Sequence, residues 1–208
     1  MLRSFFKQVI EFNEIFQKKK IIIITRLRVS RRITISQDYA FKISVFGDSG
    51  VGKTSMIIRY ITDQFDLDLG ETMGVNIRIK KLKINDTKIT LQIWDIVGEK
   101  RLKIMFPIYV RGSSAGIFMY DITHKISLNN IDNWLQIYKN INPQRPVIMV
   151  GGKLDLQQMR AVSIEEAMSI SKSYDFYDYI ECSAKTGENI ENIFNILICK
   201  FMENAGFI

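Results

Sequence analysis

At 208 residues, the chain is long enough for one domain, alone or with an appendage, that buries roughly 70% of its unfolded surface. Its 47% apolar and 25% charged content is that of a globular protein and gives no sign of disorder, and two cysteines, Cys182 and Cys199, exclude a disulfide framework or a zinc site and fit a reducing, cytoplasmic setting. The net charge of +7 sits mostly in residues 1–40, where nine Lys or Arg face Glu11, Glu14 and Asp38 for a balance of +6; the rest of the chain stands at +1, so no nucleic-acid surface is expected on the main body.

In chain order, Leu2, Phe5, Phe6, Val9, Ile10, Phe12 and Phe16 recur largely at three- and four-residue intervals among Arg3, Lys7, Glu11 and Glu14. That spacing predicts an amphipathic helix over 1–20, closed by Lys18, Lys19 and Lys20. Leu27, Val29, Ile33 and Ile35 then alternate with Arg26, Arg28, Ser30, Arg32 and Thr34, the period of a half-buried strand with a basic outer face. Residues 1–37 therefore read as a basic N-terminal extension with three readings open. It lies on an anionic membrane surface, it packs against the main domain, or it reflects an assumed translation start, since no Met falls between Met1 and Met56. No apolar run approaches the 18 residues of a membrane span.

From residue 38 the pattern is regular. Strands are expected at Phe41–Phe46, Val75–Ile84, Lys88–Trp94, Gly116–Tyr120, Val147–Val150 and Asp178–Glu181, with Asn85, Asp86 and Thr87 making a hairpin between the second and third. Helices are expected at Lys53–Thr62, within Ile96–Val110, from about Ser127 to Asn140, from a capping box at Ser163-Ile-Glu-Glu to about Ser173, and at Ile190–Met202. His124, the single histidine, reads as a loop residue, so histidine-based catalysis is poorly supplied. Short strands alternating with helices imply an α/β three-layer sandwich. Its six-stranded sheet would be mostly parallel, with one antiparallel edge strand and helices on both faces. Ligands in such sheets bind at the carboxyl ends of the strands.

One stretch dominates that end. Gly47 to Thr54 reads GxxxxGKT between a strand and a helix, the context a phosphate loop requires. The backbone N–H groups of Asp48, Ser49, Gly50, Val51, Gly52, Lys53, Thr54 and Ser55 are candidates to line the cradle. Lys53 would reach the outer phosphates, and the Thr54 hydroxyl would ligate Mg²⁺ at the helix start. A phosphate loop alone leaves kinases, ATPases and GTPases open. Asp95-Ile-Val-Gly98 follows the third strand, where Asp95 can hold a Mg²⁺-bound water and Gly98 can offer its N–H to a γ-phosphate. The Asp155 carboxylate of Gly152-Lys-Leu-Asp155 can accept the N1–H and 2-amino donors of guanine, which adenine lacks, and the backbone of Cys182-Ser-Ala-Lys-Thr186 can meet the base's O6.

In order and spacing, these motifs together with TMGV (72–75) and YVRGSSAGIFMYDIT (109–123) resemble the small Ras-like GTPases, most closely the Rab branch, from about Asp38 to Met202. The resemblance implies a phosphate-loop fold over 38–208 that binds GTP and GDP with Mg²⁺, hydrolyses GTP, and acts as a monomeric switch read by effector and regulatory proteins in vesicle trafficking. By it, Thr54 and Thr72 ligate Mg²⁺ and Asp95 holds it through water, Phe65 stacks on the guanine, and Lys153 lies along its face. Ser183, Ala184 and Lys185 complete the base pocket, and Lys53, Thr72, Gly98 and Glu99 form the catalytic set. The segments at about 66–76 and 98–111 would order around the γ-phosphate and relax without it.

Three positions depart from that pattern. Glu99 stands where the family usually has a water-orienting glutamine, so hydrolysis is expected to be slow or altered; a non-hydrolysing scaffold is the alternative. Gly152 stands where the guanine motif usually begins with Asn, which predicts an affinity lower by about tenfold or more and a gain on Gly152→Asn. The chain ends Glu203-Asn-Ala-Gly-Phe-Ile208 with no prenylation cysteine, so peripheral membrane attachment is expected through residues 1–36 or through a partner.

Overall fold

The first strand, β1 (Asp38–Phe46), starts earlier than alternation alone suggests, because Asp38, Tyr39 and Ala40 pair in parallel with Lys88, Ile89 and Thr90. The computed structural model describes residues 38–65, 74–84, 87–98 and 104–205. The helix and strand expected within 1–37 lie outside these residues, as does the turn at Asn85 and Asp86. The described elements continue with α1 (Lys53–Thr62), β2 (Val75–Ile84), β3 (Thr87–Ile96), α2 (Phe106–Val110) and β4 (Ala115–Asp121). They end with α3 (Lys125–Asn129), α4 (Ile131–Ile141), β5 (Val147–Gly152), α5 (Ile164–Ser173), β6 (Asp178–Glu181) and α6 (Ile190–Asn204).

The sheet has six strands in the order β2-β3-β1-β4-β5-β6. Every neighbouring pair is parallel except β2 with β3, so the expected antiparallel edge is present. Alternation along β1 sorts its side chains onto two faces. Phe41 stacks on Phe201 of α6 with ring centroids 4.3 Å apart, and α6 is joined to α1 by Phe194 on Tyr60 at 3.7 Å. Phe46 points the other way, stacking on Tyr138 of α4 at 5.1 Å and meeting Phe106 of α2 at 5.3 Å. β4 is buried along its whole length, as a central strand covered on both faces must be.

Two details differ from the expectation for Ser127–Asn140 and for the segment after β5. The single helix is two, α3 and α4, broken at Asn130, whose side-chain amide donates to Asp48 Oδ2 at 2.6 Å. A 3-10 segment, Leu154–Met159, follows Lys153, which takes the left-handed conformation at φ 66°. Ser163 caps α5 at the expected place: its Oγ accepts from Glu166 N at 3.1 Å. His124 is an exposed loop residue, as expected.

One ion pair holds the loop after β5 to the end of β6. Arg160 donates to both Glu181 oxygens at 2.6 Å, and Tyr179 Oη donates to Glu181 Oε1 at 2.6 Å. The Glu181 side chain is only 10% exposed, so Arg160→Ala would strand a buried charge. We expect that variant to lose about 3 kcal/mol in urea unfolding. Arg160→Met with Glu181→Met should recover most of it, whereas a loss under 1 kcal/mol (about a fivefold change in the folding equilibrium) would make the pair a surface ornament.

Candidate functional site

The site gathers where parallel strands end. Gly47–Gly52 follows β1, Asp95 closes β3, Lys153 and Asp155 follow β5, and Ser183 follows β6. Gly47 sits at φ 138° and a Cβ there would collide with the Met119 carbonyl oxygen, so the loop passes too close to β4 for any side chain. A Cβ on Gly98 would collide with Ser49 N and the Asp48 carbonyl carbon, which puts the end of β3 directly against the loop.

Lys53 lies in the cradle, 6% exposed, and donates to the Gly47 and Asp48 carbonyl oxygens at 3.0 and 2.6 Å. Burial pushes its ammonium down to about 8, against the pull of Asp95 and Asp48. Next to it, Thr54 Oγ1 donates to Asp95 Oδ2 at 2.7 Å. Asp95 is fully buried, and burial pushes its carboxyl up despite the Thr54 hydrogen bond and the nearby Lys53 and Arg78 charges. Its Oδ1 is buried with no hydrogen-bond partner. A buried carboxylate with one orphaned oxygen beside a hydroxyl is what a Mg²⁺ ion needs when phosphates and waters supply its other ligands. Among the described residues no three His, Cys, Asp or Glu cluster, so an all-protein metal cage is not formed there. Thr54 and Asp95 are thus the described residues suited to hold the ion; Thr72 and Glu99 lie outside the described residues.

The Asp48 side chain turns away from the cradle. Its Oδ1 accepts from Trp134 Nε1 at 2.9 Å and its Oδ2 from Asn130, so α4 grips the loop from behind. Asp48 therefore contributes to the site through its backbone. Nothing local in the sequence pairs residue 48 with residues 130 and 134.

In the loops after β5 and β6, Asp155 Oδ1 accepts from Ser183 Oγ at 2.6 Å, and Ser183 Oγ accepts from Thr186 N at 3.1 Å. Leu154 N donates to Cys182 O at 3.0 Å, which joins the two loops by backbone as well. Ser183 is fully buried, Ala184 half-buried and Lys185 exposed. Lys153 Nζ pairs with Asp121 Oδ2 at 2.7 Å, while Thr123 N and Oγ1 donate to Asp121 Oδ1 at 2.8 and 2.7 Å. Burial would raise the Asp121 carboxyl, but the Lys153 and Thr123 contacts outweigh it and hold the carboxyl below its ordinary range. Asp121 was not singled out in the sequence; its place at the end of a buried strand is the signal that would have found it.

Phe65 is half-buried, just past the end of α1. A cavity of ≈ 580 Å³ opens nearby, lined by Arg59, Asp63, Lys80, Thr186 and Glu191 among others, but by no residue of the phosphate loop. No described helix is long and apolar enough to cross a membrane.

The profile of the Ras family matches residues 42–203. Ras-related protein Rab-1 of Theileria parva is 40% identical over 162 residues, 77% of this chain and 73% of that protein. Ras-related protein RABA6b of Arabidopsis thaliana is 36% identical over 167 residues, covering 80% and 72%. Ras-related protein Rab-30 of Homo sapiens is 37% identical over 169 residues, covering 81% and 83%. A glycine-rich loop of the phosphate-loop pattern, a buried carboxylate at the end of the third strand and a hydrogen-bonded Asp155–Ser183 pair stand together in one six-stranded sheet, and the matches place the chain in the Ras family, among its Rab-related members.

Proposed function

We propose that this protein is a guanine-nucleotide switch that binds GTP and GDP with Mg²⁺ and hydrolyses GTP slowly. The observation that carries the reading is the Lys53–Thr54–Asp95 cluster, with Lys53 and Asp95 buried, set at the same end of the sheet as the Ser183–Asp155 pair.

Lys53 neutralises the outer phosphates, and the loop's backbone amides orient them. Thr54 and Asp95, with Thr72, would hold Mg²⁺, which would supply positive charge against the phosphate oxygens. Asp155, kept in place by Ser183, accepts the two guanine donors; Phe65 and Lys153 cover the base, and Ala184 and Lys185 close its pocket. Gly98, adjacent to the loop, offers its N–H to the γ-phosphate, and the segments around Thr72 and Gly98 order in response, which effectors and regulators then read.

Glu99 limits turnover. A carboxylate can accept a hydrogen bond from the attacking water but cannot donate one to the γ-phosphate, and it adds negative charge to an anionic site. A fixed-state scaffold that binds nucleotide without hydrolysis is the second reading, favoured by Glu99 and Gly152 together. Residues 1–37 form the extension and 38–208 the switch domain, with peripheral attachment to anionic membrane through residues 1–36.

The decisive measurement is single-turnover phosphate release from the purified chain and from Glu99→Gln. Release is expected above the rate of GTP alone, and faster in the variant. Bound GTP that persists unchanged in both would favour the scaffold. A chain indifferent to GDP, GTP and Mg²⁺ would end both readings. Co-sedimentation with phosphatidylserine vesicles, with and without residues 1–36, tests the attachment.

A further inference from the structure

We propose that Met119 is the positioning residue that ties the phosphate loop to the guanine-recognition loop, a role the glycine at 152 makes possible. The inference rests on the nucleotide-switch reading and concerns how the two halves of that site keep their spacing.

Met119 lies in β4, 1% exposed, paired in register with Val150 of β5. Three glycines of the site meet it. The Met119 carbonyl oxygen blocks any Cβ on Gly47. Its terminal methyl would be 3.4 Å from a Cβ on Gly52 and would collide with a Cβ on Gly152. The same imagined Cβ on Gly152 would stand 2.8 Å from the Val51 carbonyl oxygen, so the two loops abut with no room between them except what the methyl fills. One side chain of β4 therefore lies against both the last turn of the phosphate loop and the last residue of β5, from which the guanine-recognition loop starts.

The physical consequence is mutual exclusion. A thioether is flexible enough to fill an irregular gap and packs there by dispersion alone. A polar side chain at 152 would occupy the same space and push on the Val51 backbone, which is part of the phosphate cradle. Gly152→Asn alone therefore strains the loop instead of tightening it, contrary to the expectation from the sequence. Shortening residue 119 removes the methyl from that space and leaves the Val51 carbonyl as the remaining close contact, which then has room to give.

The test is a cycle of four full-length proteins: wild type, Met119→Val, Gly152→Asn and the double variant. It reads GDP affinity in Mg²⁺ buffer and the melting midpoint without nucleotide. Met119→Val is expected to weaken GDP by about threefold to tenfold, the scale of a partly vacated buried site. Gly152→Asn should weaken it by about tenfold or more, the scale of an overpacked one. The double variant should bind GDP about tenfold more tightly than Gly152→Asn and melt above it. Met119→Leu should restore wild-type affinity, and Met119→Ala should weaken GDP while leaving competition by pyrophosphate alone unchanged, because only a ligand spanning both loops feels their spacing.

Gly152→Asn tightening GDP with Met119 in place would overturn the tie, as would additive effects in both readouts. If the wild type binds no GDP, the switch reading fails on its own. The melting cycle still decides the contact, since it needs no nucleotide, and additivity there would remove it.

Discussion

Lys53→Met is expected to lower GDP affinity by at least about a hundredfold while leaving the nucleotide-free fold standing. Hydrogen bonds with one charged partner contribute about 1.5–3 kcal/mol each, and an ammonium facing two phosphates makes more than one of them. Without nucleotide the same ammonium is a burden. Its protonated form is disfavoured by burial, which brings it from 10.5 to about 8, a cost of roughly 3 kcal/mol present at every pH below 8.

The sign follows from proton counting. Between pH 8 and 10.5 the unfolded chain holds the Lys53 proton and the native chain has lost it, so native stability rises with pH across that window. Melting the nucleotide-free wild type and Lys53→Met side by side should show the wild type gaining on the variant from about pH 8 to 10.5. Methionine also removes the charge that opposes the upward push on the Asp95 carboxyl, so Asp95 protonates more readily in the variant. An unchanged GDP affinity would mean that the phosphates sit elsewhere. A difference that stays flat with pH would mean that the ammonium is solvated, and a wild-type advantage that shrinks with rising pH would mean that Asp95 and Asp48 outweigh its burial.

Asp155→Asn is expected to weaken GDP by about a hundredfold to ten-thousandfold and to reverse the base preference toward xanthosine diphosphate. Two hydrogen bonds from guanine to a carboxylate are together worth about 3–6 kcal/mol. An amide keeps the Ser183 hydroxyl, which donates to Asp155 Oδ1 at 2.6 Å, so the side chain should hold its position. What changes is the free end of the group, where a donor now faces the 2-amino of guanine. Xanthine carries an oxygen at that place and can accept from the amide. Titration of both diphosphates against wild type and variant reads the exchange. Equal losses for the two bases would mean that Asp155 supports the loop without touching the base.

The parts of this molecule legible in the sequence are those written at short range. The strand before Gly47, the glycine spacing, Lys53 and Thr54, the helix cap at Ser163 and the antiparallel hairpin are all local patterns, and each is where alternation or spacing puts it. The end of β3 at Asp95 is legible too, because the motif follows an alternating run. What the sequence hides are contacts between residues far apart in the chain. The break at Asn130 answers to Asp48, 82 positions away, and no helix periodicity reveals it. The ion pair of Lys153 with Asp121 follows only from the register of β4 against β5, which no local pattern states. At Gly152 the sequence shows a missing side chain, and only the position of the Met119 methyl shows what stands in that space.

The indole of Trp134, hydrogen-bonded to the phosphate loop through Asp48, makes that loop optically visible from within the protein. Any shift of the loop on loading or release of its ligand must alter the polarity felt by the ring, and with Trp94 replaced by phenylalanine the emission would come from this one indole. The fold thus carries its own fluorometer, and the kinetics of its site can be followed without attaching a dye.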